Sequence, residues 1–98
     1  MTINKEKNGD ELTVALEGRL DTTTAPQLEE ELSGLLDDVK KLVFDFAKLE
    51  YISSAGLRVL LAGQKRMNKQ GTMVVRNVAD EIKEIFEVTG FTEILNIE

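Results

Sequence analysis

The chain has 98 residues, 42 % hydrophobic and 31 % charged, with one proline, no cysteine and no histidine, which is the composition of one globular domain spanning residues 1–98. Without cysteine or histidine there are no disulfides, thiol nucleophiles or cysteine-ligated metals, and no Ser-His-Asp or Cys-His chemistry from this chain alone. A net charge of −6 repels phosphate backbones and anionic lipids, so the expected partner is neither nucleic acid nor a membrane but a protein with a basic or neutral face.

Leu12, Val14 and Leu16 alternate with Thr13, Ala15 and Glu17, the period of a half-buried strand. Asn8-Gly9-Asp10 precedes it as a turn signal, which makes Thr2 to Lys7 the first arm of a hairpin. Gly18 is expected to end the second strand. A helix then begins after Asp21-Thr22-Thr23-Thr24, with Thr24 as cap, Gln27 completing a capping box and Pro26 in the first turn. Leu28, Leu32, Leu35 and Leu36 give it one apolar stripe, which predicts a helix to about Leu36.

Lys41 to Phe46 is a short apolar run and reads as a strand covered on both faces. Ala47 to Ile52 is expected to be a loop. A second helix starts around Ser53-Ser54-Ala55-Gly56 and buries Leu57, Leu60, Leu61, Gln64 and Met67. Lys65, Arg66 and Lys69 suit its C-terminal half, and Gly71 is its expected stop. Thr72 to Arg76 reads as another buried strand. Asn77 is the expected cap of a third helix with Ile82, Ile85, Phe86 and Thr89 inward and Gly90 as its stop. Phe91 to Ile97 offers a last short strand. The order β-β-α-β-α-β-α-β implies an α/β fold with a mixed sheet, parallel in its later part, and right-handed crossovers. The charged start, Met1 to Lys7, has no apolar stretch of a secretion signal. No apolar run approaches the roughly 20 residues of a membrane span, so a cytoplasmic location is expected.

The segment Tyr51-Ile52-Ser53-Ser54-Ala55-Gly56-Leu57 resembles the signature of the STAS domain, the fold of bacterial anti-sigma-factor antagonists. There, an aromatic and an aliphatic residue precede Asp-Ser-Ser-Gly-Leu. Gly18-Arg19-Leu20-Asp21, Leu42-Val43-Phe44-Asp45 and Ile85-Phe86-Glu87-Val88-Thr89-Gly90-Phe91 also match, so the likeness spans the whole chain. It implies a STAS-like domain that binds an anti-sigma factor serine kinase, frees the sigma factor and is switched off when Ser54 is phosphorylated. A serine phosphatase would reset it. Two positions depart from the pattern: Ser53 stands for the signature aspartate, and Ala55 for the second serine. Ser53 retains the ability to cap a helix but is itself a second candidate hydroxyl; Ala55 removes one.

In this scheme the protein is a substrate and not an enzyme, a monomer is expected, and ATP and its metal ion belong to the kinase, so no cofactor is assigned. The expected partner contacts are Ser53, Gly56, Arg58, Asp21 and Thr22, with Thr23 and Asn77 on neighbouring loops of the same sheet edge. Each has a plainer reading. Ser53-Ser54 can be a helix cap, Gly56 a close-packing position, Asp21 a turn residue and Arg58 a solvated charge. Ser54 as an enzymatic nucleophile would need Lys65 or Lys69 as base, and helical spacing puts both two or more turns away. The alternative function is a STAS scaffold or accessory subunit, in a stress-signalling assembly or a lipid transporter, without a phosphoserine switch.

Overall fold

The computed structural model describes residues 1–98. Strand β1 (Thr2–Asn8) and strand β2 (Glu11–Leu20) form an antiparallel hairpin. Its turn is Gly9-Asp10, and Gly9 takes the positive φ of 62° that a tight connection needs. After β2 come α1 (Ala25–Ser33), β3 (Lys41–Ile52), α2 (Ser54–Gln70), β4 (Thr72–Arg76) and α3 (Asp80–Thr89). The sheet order is β1-β2-β3-β4, with β2, β3 and β4 mutually parallel. Because both crossovers step along the sheet in the same direction, right-handedness puts α1 and α2 on one face.

The alternation in the strands decides what that face buries. Leu12, Val14, Leu16, Leu42, Phe44, Met73 and Val75 share one buried cluster with Leu28 of α1, Leu60 and Met67 of α2, and Ile82 and Phe86 of α3. The alternate residues Val43 and Val74 are also buried but lie outside that cluster. They occupy the opposite face, among longer charged side chains. Two ion pairs fasten the hairpin to the segment that follows it: Lys5 to Glu31 of α1 and Lys7 to Asp38 of the α1–β3 connection, each at 2.7 Å.

Several expectations are corrected. β3 does not stop at Phe46 but continues through the anticipated loop to Ile52. Its pairing with β2 slips twice, between Ala15 and Glu17 and between Gly18 and Arg19. These bulges put Phe46, Leu49 and Ile52 on the core side, three residues apart instead of two, so the period of a flat strand is missing there. Gly18 does not end β2; it lies inside the strand with φ of 100°, at the second slip. Helix α1 ends at Ser33, and Leu36 reaches the core from the turn that follows. Thr24 makes no side-chain cap, because its hydroxyl accepts from Asp21 N and donates to the Arg19 carbonyl, both at 2.8 Å.

Asn77 is not the cap of α3; Ala79 holds that position with no side-chain cap. The Asn77 backbone has φ of 58° and its amide donates to Asp45 Oδ1 at 3.0 Å. Within α3, Ile82 and Phe86 are buried while Thr89 is exposed. The final strand is also absent. Phe91–Glu93 forms a 3₁₀ turn that uses the chain needed to travel from α3 back to the sheet edge. Only Ile97 pairs, in a single parallel bridge to Val75, with Val75 N to Asn96 O and Glu98 N to Val75 O both 2.9 Å. The stops at Gly71 and Gly90 agree with expectation. Gly90 has the left-handed φ of 82°. Gly71 is extended; there a Cβ would lie 1.9 Å from the Lys40 carbonyl oxygen, so contact and not φ demands glycine.

Candidate functional site

β2 and β3 end together at one rim of the sheet, where Ser53 N donates to the Leu20 carbonyl at 2.9 Å. That bond holds Ser53 in extended backbone, φ −98° and ψ 176°, the conformation of an N-cap. Its hydroxyl accepts from Gly56 N at 3.4 Å, and its carbonyl accepts from Leu57 N at 2.9 Å. The cap anticipated at Ser53 is therefore formed. Ser54 follows as the first residue of α2 and is exposed.

Gly56 sets how closely this turn sits on the strands. A Cβ there would come within 2.7 Å of Leu20 Cγ and 2.9 Å of Ile52 Cγ1. Gly56 is buried, so whatever it contributes to a partner is made by placing Ser54 and not by contact. The close-packing reading of this glycine is the one its surroundings support.

Asp21 lies one residue past Leu20. Its Oδ1 accepts from the Thr23 hydroxyl at 2.7 Å, Thr23 N at 3.0 Å and Thr24 N at 3.2 Å. The Thr23 hydroxyl, aided by these amides, holds the Asp21 carboxyl below its ordinary range. Arg19 reaches Asp21 Oδ2 at 3.7 Å and lays its guanidinium 4.2 Å from the centre of the Tyr51 ring, a cation–π arrangement. Asp21 thus has the turn role that its plainer reading assigned, and it adds a fixed charge to the rim.

Arg58 is exposed one turn along α2 and borders two grooves. The first, about 430 Å³, runs between α2 and the end of α3 and is lined by Ser54, Leu57, Arg58, Leu61, Thr89 and Phe91. The second, about 390 Å³, lies between α1 and α2, and Thr22, Glu29 and Ala55 are among its walls. Ser54, Arg58 and Thr22 are thereby gathered on one surface. Asn77 is not: its bond to Asp45 keeps it with the outer sheet face. Arg19, Tyr51, Thr89 and Phe91 were not anticipated as site residues. Thr89 and Phe91 carry no local signal, since only the packing of α3 on the sheet brings them to Ser54.

Comparison with known proteins adds the family. The family described as "Mlab, STAS domain" matches residues 3–96. BtrV of Bordetella bronchiseptica, whose name provisionally calls it an anti-sigma factor antagonist, is 35 % identical over 99 % of this chain and 85 % of its own length. The anti-sigma-B factor antagonist of Listeria monocytogenes is 30 % identical over 96 % of this chain and 84 % of its own. The Bacillus cell fate determinant SpoIIAA in its phosphorylated form has the same fold, with a TM-score of 0.78 and 17 % identity over 99 % of this chain and 91 % of that one. Matched along almost its entire length, the chain belongs to the STAS domain family.

Proposed function

We propose that this protein is an anti-sigma factor antagonist whose binding is switched off by phosphorylation of Ser54. The observation that carries the reading is the presentation of Ser54: exposed, first in its helix, fixed by the Ser53 cap and bordering an open groove. The relatives named as anti-sigma factor antagonists support it, and the phosphorylated form of SpoIIAA shows that this fold tolerates the modification in another protein. The unmodified protein, in the cytoplasm, holds an anti-sigma factor that is a serine kinase and so frees the sigma factor. The kinase transfers phosphate to Ser54, the complex separates, and a serine phosphatase restores the starting state.

The switch acts on the interface and not on the fold. A phosphate adds about −1.5 to −2 charges. On Ser54 it lies beside the free amides and the positive end of α2, where negative charge is favourable. Closing a partner over that dianion without matching donors costs several kcal/mol, and each 1.4 kcal/mol is about tenfold in affinity. Asp21, Thr22, Ser53 and Arg58 are the proposed contacts around it.

Incubation with ATP, magnesium and lysate of the source organism, followed by mass spectrometry, tests the reading. Trypsin releases both serines in one peptide, Leu49 to Arg58. Phosphate on Ser54, absent from Ser54→Ala, is the expected result. Phosphate on Ser53 would move the acceptor by one residue. No phosphate, with a control substrate modified, would favour the second reading: a STAS subunit with no phosphoserine switch, to which the Mlab part of the family description lends weight.

A further inference from the structure

We infer that Arg58 is an internal latch for the phosphate of Ser54, so that the modified protein holds part of its own new charge. The inference deepens the proposed switch and rests on Ser54 as acceptor. Ser54 and Arg58 are four residues apart in α2 and border the same groove. On a helix that spacing places the two side chains one above the other. Helical side chains lean toward the N-terminus, so a long residue covers the turn before its own. Arg58 therefore leans over Ser54. The order is also the favourable one, with the anion N-terminal to the cation.

Arg58 is free for this task. Arg19, Arg66 and Arg76 are each within 4 Å of a carboxylate, at Asp21, Asp37 and Glu98; Arg58 forms no ion pair. Besides Arg58, only Glu29 of α1 is charged among the residues lining the two grooves it borders. Unmodified, the guanidinium stands between the two grooves. Once phosphorylated, Ser54 offers planar guanidinium recognition of two or three oxygens, and Arg58 is drawn to that side. Glu29 then keeps only Arg66, which shares a separate groove with it and is already paired with Asp37. The surface changes in two places: the Ser54 groove gains a partly neutralised phosphate and the α1–α2 groove becomes more acidic. A partner that uses Arg58 as a contact loses it in the same event.

Phosphoserine placed at position 54 during translation tests the latch whether or not any kinase modifies this protein, so its failure is separable from failure of the proposed switch. Phosphorus NMR reads the second ionisation of the phosphate. Helix-end effects are common to all variants and cancel in the comparison. The latch predicts that Arg58→Gln raises that pKa by about 0.3 units relative to the unsubstituted phosphoprotein, Arg58→Lys by less, and that the difference between the unsubstituted and Arg58→Gln phosphoproteins shrinks in 1 M salt, whose general effect on a phosphate is common to both. Equal pKa values, within 0.1 unit, for the unsubstituted and Arg58→Gln phosphoproteins would overturn the inference. So would an Arg58→Gln effect that persists undiminished in 1 M salt.

Discussion

Replacing Gly56 by alanine tests whether the position of α2 depends on one missing methyl group. The added Cβ would meet Leu20 Cγ at 2.7 Å, Ile52 Cγ1 at 2.9 Å and Leu20 Cδ2 at 3.0 Å. Leu20 is fully buried and Ile52 nearly so, so neither can swing into solvent. Forcing a methyl group into a packed core costs about 1–3 kcal/mol. Against this stands the helix preference for alanine over glycine, up to about 1 kcal/mol. The net expectation is a loss of about 1–2 kcal/mol, which lowers Tm by roughly 5–15 °C in a domain of this size. Urea unfolding followed by circular dichroism should show a lower midpoint at constant slope. The partner control is Leu20→Ala, which removes two of the three atoms that the new methyl strikes and leaves Ile52 Cγ1. It destabilises by about 2–5 kcal/mol alone, but Gly56→Ala should cost about 1 kcal/mol less in that background. Equal stability of Gly56→Ala and the parent, or strict additivity with Leu20→Ala, would refute the steric argument.

Gln64 is nearly buried on α2; its Nε2 donates to Asn68 Oδ1 at 2.8 Å, but its Oε1 has no partner. Gln64→Met should therefore be neutral or stabilising by up to about 1 kcal/mol in thermal melts; a clear loss of stability would mean the amide makes a bond to ordered water. Ser53→Ala removes the cap of α2 and should cost about 1 kcal/mol in denaturant melts, while Ser53→Asp should retain the cap. Asp21 and Asp38 should titrate below the ordinary value of 3.8, Asp21 through the Thr23 hydroxyl and Asp38 through the Lys7 ammonium. Because folding lowers both pKa values, the stability they add is complete above the unfolded value and fades as pH falls through the folded one. Carbon-detected NMR of the side-chain carboxyls measures both midpoints directly, and values at or above 3.8 would contradict the assigned bonds.

Much of this architecture was legible because its signals are local. Alternation at Leu12, Val14 and Leu16, the serine cap of α2 and the left-handed glycine after α3 each need only a few neighbouring residues. What escaped depends on partners far along the chain. The half of β3 beyond Phe46 hides behind two bulges, whose three-residue spacing resembles neither strand nor helix. Asparagine favours a helix cap, yet Asp45, 32 residues before Asn77, takes its amide. Threonine favours a cap too, but the Thr24 hydroxyl is spent on closing the loop from Arg19. The proposed acceptor Ser54 and Arg58 stand in one short segment of the sequence, whereas the groove that both line needs α3 in place.

The two bulges of β3 also govern where this chain tolerates a change of length. Ala15 to Leu20 is six residues on β2, and the facing stretch from Asp45 to Ile52 is eight on β3. Each surplus residue sits between core positions, one in Ala47-Lys48 and one in Glu50-Tyr51. Losing one residue from either pair restores ordinary two-residue spacing and leaves Phe46, Leu49 and Ile52 facing inward, with the start of α2 drawn back by about 3.3 Å. A one-residue deletion between Leu42 and Phe46 has no such slack and turns every later side chain of the strand to the wrong face. Natural length variation in this strand should therefore collect just below the serine it delivers, where it retunes the height of Ser54 above the rim while the core stays in register.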